Sequence, residues 1–436
     1  MRSAYLYQSI NLLVGIMMVP LLLRYLDVNG FILWSIFITF GGITLQLENA
    51  IQTVSVREIS KQFHSGNVSS LNIALQKAKL AYRVLSVGVL LPVFIIGLLY
   101  LKYVVSEKLG LHGNIEWLVF MLAYSLNYYF GTNNSILLGF VHVAQFNNIN
   151  SFSRTLNFIS TYALLKLGYS VMGLSLSFAF SVVVGVILIS RAARKSINNY
   201  HEKPEVKNDS NVKFENAKSS NIIKYTFYML SSFIIYKGGL LVATVIFSND
   251  IVGAYSLTLQ AFTMLSMLAL VPLQVWLHKL VRAVASGDVK STFYEIFVSI
   301  VLVNLIFISG TVFLIFFGNE LLVFIGSKIM LVDTVYLLVI HLAFLVELNI
   351  LVLVNYLVVK SNYKFVKLYV SLSLIGIFLA VILTLITKSS VITLVIVPLG
   401  IQSLLCLPFI FRLTYRELGI DSSEFKNLLG GLIWKR

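Results

Sequence analysis

Twelve apolar runs of about the length that crosses a bilayer as helix, roughly 18–25 residues, follow one another along the chain. Polar turns or basic stretches separate them. Their limits fall near 5–26, 31–53, 80–101, 117–140, 152–168, 171–190, 224–247, 253–277, 292–317, 333–356, 366–387 and 391–412. The fifth run is short, with Arg154 and Lys166 near its ends, and both side chains can snorkel. The organising stretch is Leu21 to Glu58: the end of one apolar run, a turn at Asp27-Val28-Asn29-Gly30, a second run, and a basic exit at Arg57 and Lys61. It reads as a membrane helical hairpin. The pattern returns at Leu240 to Lys279, shifted by about 223 residues, so that Asp27 meets Asp250, Gly30 meets Gly253 and Gly15 meets Gly238. Ser65-Gly66-Asn67 nearly meets Ser286-Gly287-Asp288. An internal repeat of this kind predicts two similar halves with a site between them.

Composition turns this pattern into a class. Of 436 residues, 58% are hydrophobic and 12% charged, and the mean hydropathy is +0.88. Soluble domains carry about 25% charged residues, and a soluble core could not bury this much apolar surface. The chain is therefore expected to be an all-α integral membrane protein. The first run is too long for a signal-peptide core and no small-residue cleavage site follows it, so it reads as a first span. The single cysteine, Cys406, lies inside an apolar run, which excludes a disulfide framework. The six His residues are scattered without ligand spacing, so no metal site is expected, and no Walker motif points to an ATPase.

The net charge of +15 has first to be read by side. With the N-terminus inside, one set of loops holds Arg57, Lys61, Lys77, Lys79, Arg83, Arg154, Arg191, Arg194 and Lys195, the basic residues between Lys203 and Lys224, and further ones from Lys279 to Lys367. The other side has only Arg24, Lys102, Lys108, Lys166, Lys328 and Lys388. This asymmetry places both termini in the cytoplasm. It assigns the positive charge to topology and anionic lipid headgroups, and nucleic acid is not expected as a partner. The expected organisation is a six-helix bundle over 1–190, a cytoplasmic linker over 191–223, a second six-helix bundle over 224–412, and a cytoplasmic tail over 413–436. The linker is polar, of mixed charge, and contains Pro204. In the 54–80 loop, Ser69 or Ser70 can cap a surface helix carrying Lys77 and Lys79.

The hairpin with its basic exit resembles the oligosaccharide flippases of the polysaccharide-transport branch of the MOP superfamily. The residues that carry the resemblance are Leu23-Arg24-Tyr25-Leu26, Asn29-Gly30 with Leu33-Trp34-Ser35, and Arg57-Glu58-Ile59-Ser60. Lys166-Leu167-Gly168 with Gly173-Leu174-Ser175 resembles the family's tight turn between the fifth and sixth spans, and Val252-Gly253-Ala254-Tyr255-Ser256 resembles the start of its eighth. Two positions depart from the family pattern. Asp27 stands where Gly is usual, and an acid often found in the seventh span is missing, with Lys237-Gly238-Gly239 nearby. The resemblance implies a MATE-like fold of two six-helix bundles related by pseudo-symmetry. It implies export of undecaprenyl-diphosphate-linked oligosaccharide across the bacterial inner membrane by alternating access, through a cationic cavity, for surface polysaccharide or O-antigen synthesis. Implied partners are membrane lipids, a polysaccharide polymerase and a chain-length regulator. No cofactor is implied beyond coupling to protons or sodium.

Ionisable groups inside spans cost roughly 2.5–3.5 kcal/mol at a helix centre, so each needs a reason. Lys237 lies mid-span, too deep to snorkel. It faces either a passing diphosphate or an intramembrane acid such as Glu347. Glu48 and Glu347 are candidates for coupling or for charge pairs, Glu48 with Arg57 or Arg83. His341, two turns from Glu347, is a structural or cavity group. On the fourth run Tyr124, Asn127, Tyr128, Gly131, Asn134 and Ser135 share a face. That face suits sugar, by ring stacking and amide hydrogen bonds, or interhelical hydrogen bonding with close packing. Gln8, Asn11 and Gly15 make a similar stripe on the first run, and Arg24 and Arg154 mark the outer and inner mouths. Two other functions are weighed: an ion-coupled drug or metabolite exporter of the same superfamily, and a membrane polysaccharide polymerase. The polymerase generally needs a large outer loop with Arg, His or acidic groups. The longest outer loop here, Lys102 to Glu116, is short and poor in them, so no enzyme is expected.

Overall fold

A computed structural model describes residues 2–65, 68–110, 113–201, 219–387 and 390–419. Gly66 and Asn67 of the expected turn, residues 202–218 of the expected linker, the tail from 420 and the side chain of Gln8 lie outside the described residues.

The regular elements among the described residues are helices. α1 (Arg2–Tyr25) and α2 (Val28–His64) form the hairpin, and α3 is continuous over Val68–Leu109. α4 (Asn114–Tyr129) and α5 (Thr132–Gly139) together fill the fourth expected span, and α6 (Val143–Lys166) and α7 (Ser170–His201) follow. Then come α8 (219–246), α9 (Asn249–Ala285), α10 (Val289–Ile325), α11 (Thr334–Val359), α12 (Phe365–Thr387) and α13 (Thr393–Leu418). Among the described residues nine helices are long and apolar enough to cross a membrane, and Ser9–Tyr25 is a shorter apolar helix. The fourth and fifth expected spans fall short of that mark for different reasons. The fourth is divided where Gly131 N–H turns back to the Tyr128 carbonyl at 2.9 Å. The fifth, α6, carries many polar groups, among them Asn157, whose Nδ2 donates to Ser181 Oγ at 3.3 Å.

The repeat read from residues is also a repeat of helix starts. Positions 28, 68, 114, 143 and 170 recur at 249, 289, 334, 365 and 393. At the hairpin the offset is 221 rather than about 223, because the two aspartates do different jobs. Asp27 caps α2, its Oδ1 accepting from Gly30 N–H at 3.0 Å. Asp250 lies inside the first turn of α9.

Several helices outrun the bilayer. α2 and α9 each have 37 residues, about 55 Å at 1.5 Å per residue, against a hydrocarbon core of about 30 Å. α7 continues to His201, so the stretch expected to begin the linker at 191 is helical. Ile189, Ala192 and Ala193, spaced to share a face, are buried with Ile59, Leu71 and Phe140. α3 likewise begins at Val68 and runs on as one helical stretch to Leu109. Ser69 and Ser70 therefore lie within its first turn rather than at its cap, and the expected surface helix is the leading part of the third span. Its buried Leu71, Ala74, Ala78 and Tyr82 form the inward face that holds it in the bundle.

The described residues group into two compact units, residues 1–256 with 322–330 and residues 257–321 with 331–436. In the first, Phe37, Trp117 and Phe120 form an aromatic core, with Phe178 against Phe120 at 5.2 Å. α2 is the common wall. A Cβ on Gly41 would lie 2.8 Å from Tyr124 Oη, and one on Gly42 would collide with the Phe233 ring, so these two glycines let α4 and α8 close on α2. In the second unit Phe262 and Phe307 pack with Phe344. Asn304 and Asn349 exchange amide hydrogen bonds of 3.0 and 2.9 Å between α10 and α11.

Candidate functional site

Among the described residues four π-helical turns interrupt the helices, at Val84–Val89, Leu101–Val105, Ile234–Gly238 and Gln402–Cys406. Such turns widen the helix and occur often at functional positions. Two of them present candidate groups. Lys237 lies in the third, half-buried, with Gly238 and Gly239 directly after it. Within the first unit its ammonium has no hydrogen-bond or ion-pair partner among the described residues. Gln402 opens the fourth. Its Nε2 donates to Glu347 Oε2 at 3.2 Å, and Tyr369 Oη donates to both Glu347 oxygens at 2.9 and 3.0 Å. Glu347 is 8% exposed, and these two donors to it are neutral.

A second acid is buried in the first unit. Glu48 is 6% exposed, in the neighbourhood of the hydroxyls of Tyr82, Tyr124 and Tyr128. The expected pair with Arg57 or Arg83 does not form. Arg57 is nine residues along the same helix, half a turn from alignment at 100° per residue. Arg83 is exposed, with its guanidinium 5.5 Å from the Tyr129 ring. Among the described residues Glu48 has no ion-pair partner.

The fourth-span stripe resolves into packing and access. Tyr128 is fully buried, its hydroxyl 3.1 Å from Thr44 Oγ1, so its ring offers no face to a ligand, a correction to the sugar-stacking reading of that residue. Ser135 is bonded to Tyr82 at 3.0 Å. Tyr124 is half-buried, with its ring 4.9 Å from Phe178, and Asn127 is half-buried as well. Arg154 and Glu48 both lie near enough to the Tyr124 hydroxyl to act on it electrostatically. Arg154 is exposed on α6, and Arg24 is exposed at the end of α1 with its guanidinium 5.9 Å from the Tyr25 ring. Asn11 Oδ1 is buried without a hydrogen-bond partner among the described residues. His341 is buried, with Nδ1 2.8 Å from Thr311 Oγ1 and its ring stacked 5.1 Å from Phe307. That is a structural setting.

Sequence reasoning missed Tyr369 and Gln402. An isolated amide within the last apolar run was the available signal for Gln402. Nothing in the pattern marked Tyr369, because a tyrosine suits any membrane helix.

Compared by sequence, the chain matches no family model and no curated protein. Compared by structure, it is similar to an inward-facing multidrug resistance MATE family transporter of the MOP superfamily, with TM-score 0.68 and 13% identity over 95% of this chain and 94% of that one. It is similar to a MATE protein in the bent conformation, with TM-score 0.59 and 11% identity over 98% and 99%. A MOP superfamily transporter from Pyrococcus furiosus, whose binding pocket is described as reversed in polarity, matches with TM-score 0.55 and 12% identity over 95% of each chain. The chain therefore has the fold of these transporters over nearly its whole length, and it is a multi-pass membrane protein by fold and helix composition.

Proposed function

We propose that this chain flips undecaprenyl-diphosphate-linked oligosaccharide repeat units across the bacterial inner membrane, by alternating access between its two six-helix halves, with both termini cytoplasmic. The observation that carries the reading is Lys237, an unpaired cation within the first unit, deep in a membrane helix and set on a π-turn. A lysine ammonium meets phosphate oxygens without fixed orientation, and the lower dielectric of a partly dry cavity strengthens that attraction. Tyr124, Asn127 and Asn11 supply a half-buried aromatic ring and amides suited to sugar, and Arg24 and Arg154 supply charge toward the two mouths. On this reading the surrounding membrane lipids bathe the carrier's lipid tail, and a polymerase and a chain-length regulator take the cargo on.

A second reading, an ion-coupled drug or metabolite exporter, is favoured by Glu48, a buried acid of the first half without an ion-pair partner among the described residues. One assay separates the two: complementation of glycan export, normalised to membrane protein level. Lys237→Ala should lose export with insertion intact, Lys237→Arg should keep part of it, and Glu48→Gln should retain more than Lys237→Ala. Full export by Lys237→Ala removes the flippase reading. Drug efflux that depends on Glu48 and ignores Lys237 replaces it with the exporter.

A further inference from the structure

Four polar contacts gather at one end of the first unit, the end that bears the α1–α2 turn. Asn249 Nδ2 donates to Asn29 Oδ1 at 3.0 Å, and Asn29 Nδ2 donates to the Leu109 carbonyl at 3.2 Å. Lys108 Nζ donates to the Thr244 carbonyl at 2.7 Å, and Tyr100 Oη to the Leu241 carbonyl at 2.8 Å. The accepting carbonyls include those of helix ends. Leu109 closes α3 before Gly110, which takes the left-handed conformation, and Thr244 lies in the last turn of α8. Terminal carbonyls lack helical partners, and a nearby cation or amide can satisfy them. Here the donor comes from another helix each time. The ammonium of Lys108 also sits at the negative end of the α8 dipole.

The contacts join parts of the chain far apart in the repeat. Asn29, Tyr100, Lys108 and Leu109 belong to the first half of the sequence, and Leu241, Thr244 and Asn249 to the second. Gly253 adds an apolar seat: a Cβ there would lie 3.3 Å from Val28 Cγ1. These bonds help keep the ends of α8 and α9 within the first compact unit, which runs on to residue 256.

We infer that these four bonds are a clasp that shuts the exit on this face and opens once in each transport cycle. The inference rests on the alternating-access reading above, in which this is the outer face. The two halves cannot part here while Asn249, Thr244 and Leu241 remain tied to Asn29, Lys108 and Tyr100. Each bond is a neutral or singly charged hydrogen bond to an uncharged acceptor, weak enough singly to be exchanged for water once the end opens.

The test has two arms, both in a Cys406→Ser background that removes the one native thiol. In the first, Asn29→Cys with Asn249→Cys is treated with a short bifunctional thiol reagent. Cross-linking should stop export, and the untreated variant should retain it. Cross-linked protein that exports normally would overturn the clasp. In the second arm Leu240→Cys, at a site 3% exposed, is labelled by a membrane-impermeant maleimide added from outside. Lys108→Met together with Asn249→Ala should speed labelling about tenfold, the factor expected when a closed end loses one or two net hydrogen bonds. Asn249→Ser with Lys108 intact is the milder variant should the pair fail to insert. Unchanged labelling in the released variants overturns the clasp. This arm does not depend on cargo, so it stands even where the flippase reading fails. Faster labelling seen only from the cytoplasmic side supports the clasp and overturns the orientation.

Discussion

Lys237→Met should make the protein more stable and less active. An unpaired lysine near the centre of a membrane helix costs roughly 2.5–3.5 kcal/mol on insertion scales. Lys237 lies nine residues before the end of α8 at Ile246, about 14 Å at 1.5 Å per residue, so its Cα is far from that interface. The side chain is half-buried, and water that reaches its exposed part recovers some of its hydration. Discounting the insertion cost by about half leaves a gain of about 1–2 kcal/mol for methionine, which has similar length and no charge. For a chain this large, that should raise the midpoint of thermal unfolding by about 2 °C, because the shift per kcal/mol falls with size. Tryptophan fluorescence in lipid nanodiscs, using the four native Trp residues, can follow the transition. Unfolding of large proteins is often irreversible, so a common scan rate is needed. Glycan export by the same variant should be lost. A fall of several degrees would refute the reasoning, because it would mean that the lysine stabilises the fold through a partner. A stability gain with full export would remove Lys237 from transport while leaving its energetic account intact.

Two further outcomes rest on packing and on buried donors. Gly42→Ala places a methyl group on the Phe233 ring and should cost about 1–3 kcal/mol; Phe233→Leu in the same chain should return part of that, read as thermal stability. Tyr369→Phe removes the donor that reaches both Glu347 oxygens and should cost about 1–3 kcal/mol. Combining it with Glu347→Gln should cost less than the two single losses added, and a strictly additive pair would show that the hydroxyl contributes nothing through Glu347.

The helices were legible in the sequence because partition into lipid depends on length and apolarity, and runs such as 292–317 and 366–387 have both. The hairpin was legible for a second reason, the polar turn at Asp27-Val28-Asn29-Gly30, although the capping of α2 by Asp27 came only with the structure. What lay past the bilayer was harder to see. The buried face of Ile189, Ala192 and Ala193 is narrow, and the exposed Arg191, Arg194 and Lys195 beside it gave the stretch the composition of a loop. The break at Phe130–Gly131 was hidden because the polar residues on either side of it, Asn127, Asn134 and Ser135, fit the face of one unbroken helix. At the site, Lys237 and Glu347 announced themselves as charges in apolar runs, and so did Glu48. Their partners did not. The expected Glu48–Arg57 pair ignored helical phase, and the tyrosines around Glu48 and Glu347 are neutral groups that only the folded chain brings together.

The π-turns bear on what the chain can lose. Each holds a widened loop of backbone that an ordinary α-helix closes with fewer residues. Removing one residue at Ile234–Gly238 would let α8 close into regular register with the helix on either side keeping its facing, because the widened turn gives up the residue it holds in excess. Lys237 would then sit on a narrower turn while the helix itself survived. A deletion in regular helix has no such slack and would swing everything on one side by about 100° about the axis relative to the other. Length variants confined to these turns are therefore a route by which a chain of this architecture could reshape the backbone around a cavity group without turning the rest of the helix.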